Sequence, residues 1–92
     1  MTGSDHALSP LDVRRKKLAY RAAHRGTKEM DLLFGQYADG PMAGLSGPEL
    51  DAFEALMEEA DDELYLWISG ASAYPSRHEA AIRRVRGFHG IT

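Results

Sequence analysis

Helix-capping signals recur at short intervals along this sequence, and they constrain its fold more than any other feature. Residues 9–12, SPLD, combine an N-cap serine with a proline at the first helical position and an acid at the third. Residues 46–49, SGPE, and residues 76–79, SRHE, both match the S-x-x-E capping box. Because thirteen alanines stand against only eight β-branched residues, the segments between these caps favour helices over strands.

Apolar residues recur at helical spacing in each segment and predict an all-α fold, a compact bundle of five short helices. The second helix takes its cap from Gly26 or Thr27, and the fourth takes its cap from Asp61 or Asp62. The predicted helices cover about 10–24, 28–38, 47–59, 62–69 and 77–88.

With 92 residues, the chain has the length of about one domain. We place this single domain at 10–90, after a flexible N-terminal segment at 1–9 and with an inter-helix linker at 39–47. The longest largely apolar stretch, 64–74, is much shorter than the ~20 residues that span a bilayer. The N-terminus resembles neither a secretory signal nor a mitochondrial presequence, so we expect a cytoplasmic protein. We also expect a monomer, because a bundle of this size exposes some apolar surface without needing a second copy.

The residue types that carry catalysis or hold metals form no recognisable constellation. The sequence has no cysteine, which excludes disulfides, thiolate zinc sites, iron–sulfur clusters and a cysteine nucleophile. His6, His24, His78 and His89 are scattered, and none has a second histidine at metal-binding spacing. The serines lie at predicted caps, and no G-x-S-x-G motif occurs. We therefore assign no catalytic residue and no metal site, and we expect a protein that is not an enzyme.

Charge is segregated along the chain, although the net charge is only −3. Residues 1–28 carry seven basic and two acidic side chains, residues 29–63 carry eleven acidic and no basic ones, and residues 64–92 carry four basic and one acidic. Because the pI is about 5.7, we favour a basic first helix that is solvated or pairs with acids of the same protein, over one that binds nucleic acid. Its basic residues are Arg14, Arg15, Lys16, Lys17, Arg21 and Arg25.

The segment 25–31, RGTKEMD, joins the first two predicted helices. Gly26 lies where the first helix must end, and a glycine there tolerates the left-handed conformation of a sharp turn. Glu29 favours the positive end of the second helix, and we expect Arg25 to lie close to it across the turn. Two interpretations stay open: a well-capped corner, or a docking site where a partner approaches bare backbone between two charges.

These residues resemble the SdhE-type succinate dehydrogenase assembly factors, also called flavinators. Arg25, Gly26 and Glu29 match the R-G-x-x-E signature of that family and follow a basic helix, as in the family. Residues 61–68, DDELYLWI, resemble the acidic D-D-x-x-L-x-x-W stretch of the family at the same distance downstream. Together the two blocks make the resemblance specific, and it covers most of residues 13–70.

The resemblance implies a binding function. A protein of this kind binds the flavoprotein subunit of succinate dehydrogenase, or of fumarate reductase, and promotes covalent attachment of FAD to that subunit. The resemblance then implies that FAD belongs to the partner and is not bound stably by this chain. The implied partner-binding residues are Arg25, Gly26, Lys28, Glu29 and Asp31.

Two functions of other classes stay open. An antitoxin-like regulatory module would neutralise a protein partner, with no flavin involved. A nucleic-acid-binding helix bundle would use residues 14–25, and its binding would weaken steeply as salt is added.

Overall fold

The computed structural model describes residues 9–91, which form five α-helices and two short 3-10 turns. This range contains no β-strand, so the predicted all-α fold with five helices is confirmed. The 3-10 turns span Pro41–Gly44 and Ser76–His78. The helices are α1 (Pro10–Ala23), α2 (Lys28–Asp39), α3 (Gly47–Met57), α4 (Asp61–Ser69) and α5 (Glu79–Phe88).

Three helices begin at side-chain caps that the sequence predicts. Ser9 and Ser46 each accept a hydrogen bond from the backbone N–H three residues on, at 3.1 and 3.3 Å, within complete capping boxes. Thr27 caps α2 by accepting from the Met30 N–H at 3.2 Å. These bonds satisfy amide groups that the first turn of a helix leaves without partners. Of the predicted flexible segment 1–9, residues 1–8 lie outside the described residues.

The predicted cap of α4, Asp61 or Asp62, is wrong. Ala60 is the N-cap and makes no side-chain cap bond, so Asp61 and Asp62 lie within the first turn. The Asp61 carboxylate forms an ion pair with Arg25 at 2.8 Å instead of capping a helix. Acids in a first turn still interact favourably with the positive end of the helix dipole.

The predicted capping box at residues 76–79 does not form. Residues 76–78 form the second 3-10 turn, and α5 starts at Glu79. The Glu79 carboxylate pairs with Arg83 at 3.2 Å. The side chains of Arg77 and His78 both reach Glu59, at 3.0 and 2.6 Å. Glu59 lies at the α3–α4 junction, and its contacts with Arg77 and His78 fix the start of α5. Helix propensity, which depends on neighbouring residues in the sequence, does not reveal such a contact.

The other helix ends lie within two residues of their predicted positions. His24 is the C-cap of α1, and α3 ends at Met57 where the sequence predicts Glu59. Gly70 ends α4 in the left-handed conformation, with φ of 85°. The segment 39–47 contains the first 3-10 turn and contributes buried Met42 to the core.

One hydrophobic core fills the space between the helices. Helix α1 packs on α2 and α3, while α5 packs on α2, α3 and α4. Trp67 is only 6% exposed and Tyr65 is 48% exposed, which confirms the predicted core and surface positions. The fully buried large side chains are Leu18, Phe34, Leu50, Phe53, Leu56, Met57, Leu64, Ile68, Ile82 and Val85. None of the helices in the described part of the chain has the length and apolar character needed to cross a bilayer.

Several arginines of the basic first helix pair with acids of the same chain, which is one of the two outcomes that the favoured interpretation allows. Arg14 contacts Asp51 at 2.5 Å and Glu54 at 2.7 Å, and Arg21 pairs with Glu58. These contacts join α1 to α3 and its C-terminal end. The cations concerned are therefore partly neutralised, which leaves less positive charge for a phosphate backbone.

The Glu59 cluster makes the stability of the fold depend on pH. The hydrogen bond from buried His78, followed by that from Arg77, holds the pKa of the Glu59 carboxyl below its usual range. A lowered native pKa contributes stability that is complete above the unfolded pKa of about 4.3 and is lost as pH falls through the native pKa. We expect Glu59→Gln to destabilise the protein more at pH 7 than at pH 3, as measured by denaturant unfolding. Glu63→Gln, an exposed control, should show no such difference; equal effects for Glu59→Gln at both pH values would contradict the account.

Candidate functional site

Arg25 lies in the corner between α1 and α2 and directs its side chain into the protein, where it is 11% exposed. Its Nε donates to Asp61 Oδ1 at 2.8 Å, its Nη1 to the Met57 carbonyl at 2.7 Å and its Nη2 to the Glu59 carbonyl at 2.8 Å. Carbonyls at a helix C-terminus lack helical partners and carry the negative end of the dipole. Arg25 therefore clamps the α1–α2 corner to the α3–α4 junction.

The position of Arg25 differs from the expectation that placed it beside Glu29. Within the described residues, its ion pair is with Asp61, and its backbone N–H donates to the Asp31 carboxylate. The guanidinium offers a planar fork of donors, and two carbonyls and a carboxylate at the α3–α4 junction match that fork better than a single glutamate does. Arg25 and Asp31 thus hold the corner together from inside.

Glycine suits position 26 for a different structural reason from the predicted one. Within residues 9–91, positive φ angles occur at Gly70 and Gly90, so the expected left-handed conformation of Gly26 is wrong. Gly26 instead provides space, because a Cβ at this position would lie 3.0 Å from Asp61 Oδ2. A side chain there would push against the carboxylate that Arg25 holds.

Three of the five predicted partner-binding residues are exposed: Gly26, Lys28 and Glu29. We call these three residues the motif surface. Neither Lys28 nor Glu29 forms an ion pair with another residue in the described part of the chain. Exposed charges without internal partners are available to a second protein, whereas the largely buried Arg25 side chain and the partly buried Asp31 are bonded within the corner.

A groove of about 580 Å³ lies beside the motif surface, between the start of α2 and the first half of α4. We call it the α2–α4 groove. Three carboxylates line it, and negative charge of this kind repels the pyrophosphate of FAD. Within residues 9–91, no group of three or more histidine or acidic side chains is arranged to hold a metal ion. The residues lining the groove are Thr27, Glu29, Met30, Asp61, Asp62, Tyr65 and Leu66.

Asp61, Tyr65 and Leu66 are not among the predicted partner-binding residues. The fold brings them to the motif surface because α4 starts where Arg25 holds it. The D-D pair and the aromatic residue of the 61–68 block are the signal that marks this helix in the sequence. Nothing in their spacing shows that Asp61 faces Arg25 across 36 positions of chain.

Residues 16–89 match the family model described as "flavinator of succinate dehydrogenase". The chain is 39% identical over 57 residues to the mitochondrial succinate dehydrogenase assembly factor 2 of Debaryomyces hansenii, covering 62% of this chain and 40% of the relative. It is 34% identical over 74 residues to the FAD assembly factor SdhE of Acetobacter pasteurianus, covering 80% of this chain and 68% of the relative.

A second fungal assembly factor 2, from Lodderomyces elongisporus, is 37% identical over 57 residues, which are 62% of this chain and 35% of the relative. The chain thus spans about two fifths or less of the length of these two fungal relatives. The family model, in contrast, covers most of the chain and includes both sequence blocks, the R-G-x-x-E signature and the acidic stretch that begins α4. The chain therefore belongs to the family of flavinators of succinate dehydrogenase.

Proposed function

We propose that this chain binds the flavoprotein subunit of succinate dehydrogenase and promotes the covalent attachment of FAD to it, without itself catalysing the reaction. A fumarate reductase flavoprotein is a second partner under the same proposal. Family membership supports the assignment, and the relatives are named as assembly factors. The observation that carries it is the exposed motif surface, which is held on a corner that Arg25 clamps from inside.

The contact residues in this proposal are Gly26, Lys28 and Glu29. Gly26 lets the partner backbone approach closely, while the two charged side chains orient it. Arg25 and Asp31 contribute to binding indirectly, because their bonds fix the geometry of the corner that carries the contact residues. A corner that is already rigid binds with a smaller ordering cost than a flexible loop does.

The mechanism we propose is conformational. A factor that binds one arrangement of the flavoprotein more tightly than others raises the population of that arrangement. If the acceptor side chain and the flavin are aligned in it, the attachment proceeds faster because the reacting groups are already positioned. In this account FAD belongs to the flavoprotein, and this chain supplies only binding free energy. The cytoplasmic location and the monomeric state stay predictions.

The test is to express the flavoprotein subunit with and without this chain in a host that lacks a flavinator of its own. Covalent flavin is then read as fluorescence of the subunit after denaturing electrophoresis. We expect strong fluorescence only when the chain is present. Equal fluorescence in both samples would contradict the proposal.

A further inference from the structure

The α2–α4 groove has an apolar floor that is open to solvent. Met30, in this floor, is itself buried, while Tyr65 and Leu66 are 48% and 42% exposed. Helix α4 buries Leu64, Trp67 and Ile68 on its other side, so Tyr65 and Leu66 are not needed to anchor it in the core. Two adjacent large apolar side chains in one groove beside exposed backbone are typical of a binding surface.

The rim of the groove is negatively charged. Glu29 and Asp62 line it, and neither forms an ion pair with a basic residue within the described part of the chain. Asp61 is compensated by Arg25. Glu29 and Asp62 both lie in the first turn of a helix.

Most other acidic side chains of the described residues form ion pairs within the chain. Arginines pair with Asp12, Glu49, Asp51, Glu54, Glu58, Glu59 and Glu79. The groove therefore combines uncompensated negative charge with exposed apolar area, and both lie next to Gly26. The complement of such a site is a segment with a cationic side chain next to an apolar one.

We propose that the α2–α4 groove binds a short segment of the flavoprotein in which an arginine or lysine neighbours an apolar residue. The apolar side chain packs on Met30 and Leu66, and the cation lies between Glu29 and Asp62, within reach of the Tyr65 ring. This inference rests on the proposed function, because it takes the flavoprotein as the partner. Under this proposal α4 contacts the partner directly, in addition to the contacts of the motif surface.

The test measures the affinity of the flavoprotein subunit for the full chain and for two variants. Asp62→Asn removes one rim charge but keeps the oxygen that accepts the Glu63 N–H at 3.0 Å. Leu66→Ala removes exposed apolar area from the floor. At low salt we expect about fivefold weaker binding for Asp62→Asn and about tenfold weaker binding for Leu66→Ala. The salt dependence of binding should also be shallower for Asp62→Asn than for the unmodified chain.

Glu63→Gln and Val13→Ala are the matched controls, because both side chains are exposed and neither lines the groove. We expect both to bind within about twofold of the unmodified chain. If the unmodified chain binds the flavoprotein and the two groove variants bind equally well, the groove proposal is wrong while the proposed function stands. If the unmodified chain does not bind the flavoprotein at all, the proposed function fails, and the groove proposal fails with it.

Discussion

Replacing Arg25 with alanine is expected to lower the free energy of unfolding by about 3 kcal/mol, which is among the largest effects of a single substitution in a domain of this size. The substitution leaves the Asp61 carboxylate without its cation and two carbonyls at the α3–α4 junction without their donors. The Arg25 side chain is only 11% exposed, so water replaces these bonds poorly. The measurement is denaturant unfolding followed by circular dichroism.

Two further variants are compared with Arg25→Ala. Arg25→Lys keeps the charge but cannot serve three acceptors in the same plane, so we expect about 2 kcal/mol of destabilisation. Arg83→Ala, which breaks a pair whose arginine is 70% exposed, should cost less than about 0.5 kcal/mol. An Arg25→Ala variant of normal stability that no longer binds the flavoprotein would show instead that Arg25 contacts the partner directly.

Replacing Gly26 with arginine is expected to reduce covalent flavin in the partner at least about tenfold, while the helical content of the chain is retained. The new side chain covers the exposed backbone and displaces Asp61, whose Oδ2 would lie 3.0 Å from its Cβ. Flavin fluorescence of the denatured flavoprotein measures the effect, and circular dichroism measures the fold.

Gly44→Arg is the matched control, because a Cβ at this exposed glycine meets no atom within 4 Å. We expect this variant to support flavin attachment normally. Glu29→Ala is the second test, since Glu29 is exposed and removing it disturbs no ion pair of the described residues. A folded Glu29→Ala variant should also lose flavin attachment. If Glu29→Ala unfolds the protein, its role is helix stabilisation and not recognition.

The helices were predictable because their signals are local. The caps at Ser9, Thr27 and Ser46 depend on residues within three positions, and all three form, Thr27 being one of the two candidates for its helix. The box at Ser76 failed because a distant acid, Glu59, binds His78 and Arg77 and imposes a 3-10 turn. Local capping rules hold where no tertiary contact competes with them.

The sequence indicated residues 25–31 as a candidate site, but neither the internal arrangement of that corner nor the groove residues of α4 could be predicted from it. The basic face of α1 was expected to be solvated or to pair with acids of the same protein, and Arg14 and Arg21 do form such pairs with acids of α3 and its C-terminal end. The partners of Arg25 are two backbone carbonyls and Asp61, and backbone carbonyls carry no signal in the sequence. Likewise, the contribution of Leu66 to the groove depends on how α4 is placed against α2.

Site-specific photo-crosslinking tests whether the motif surface contacts the flavoprotein. A photoreactive residue replaces Lys28 on the motif surface or Ala80, an exposed position on α5, and the chain is irradiated with the flavoprotein subunit. We predict a crosslinked product from position 28 and none from position 80. Crosslinking from position 80 alone would show that the partner binds another face, and the account given for Gly26 and Glu29 would then be wrong.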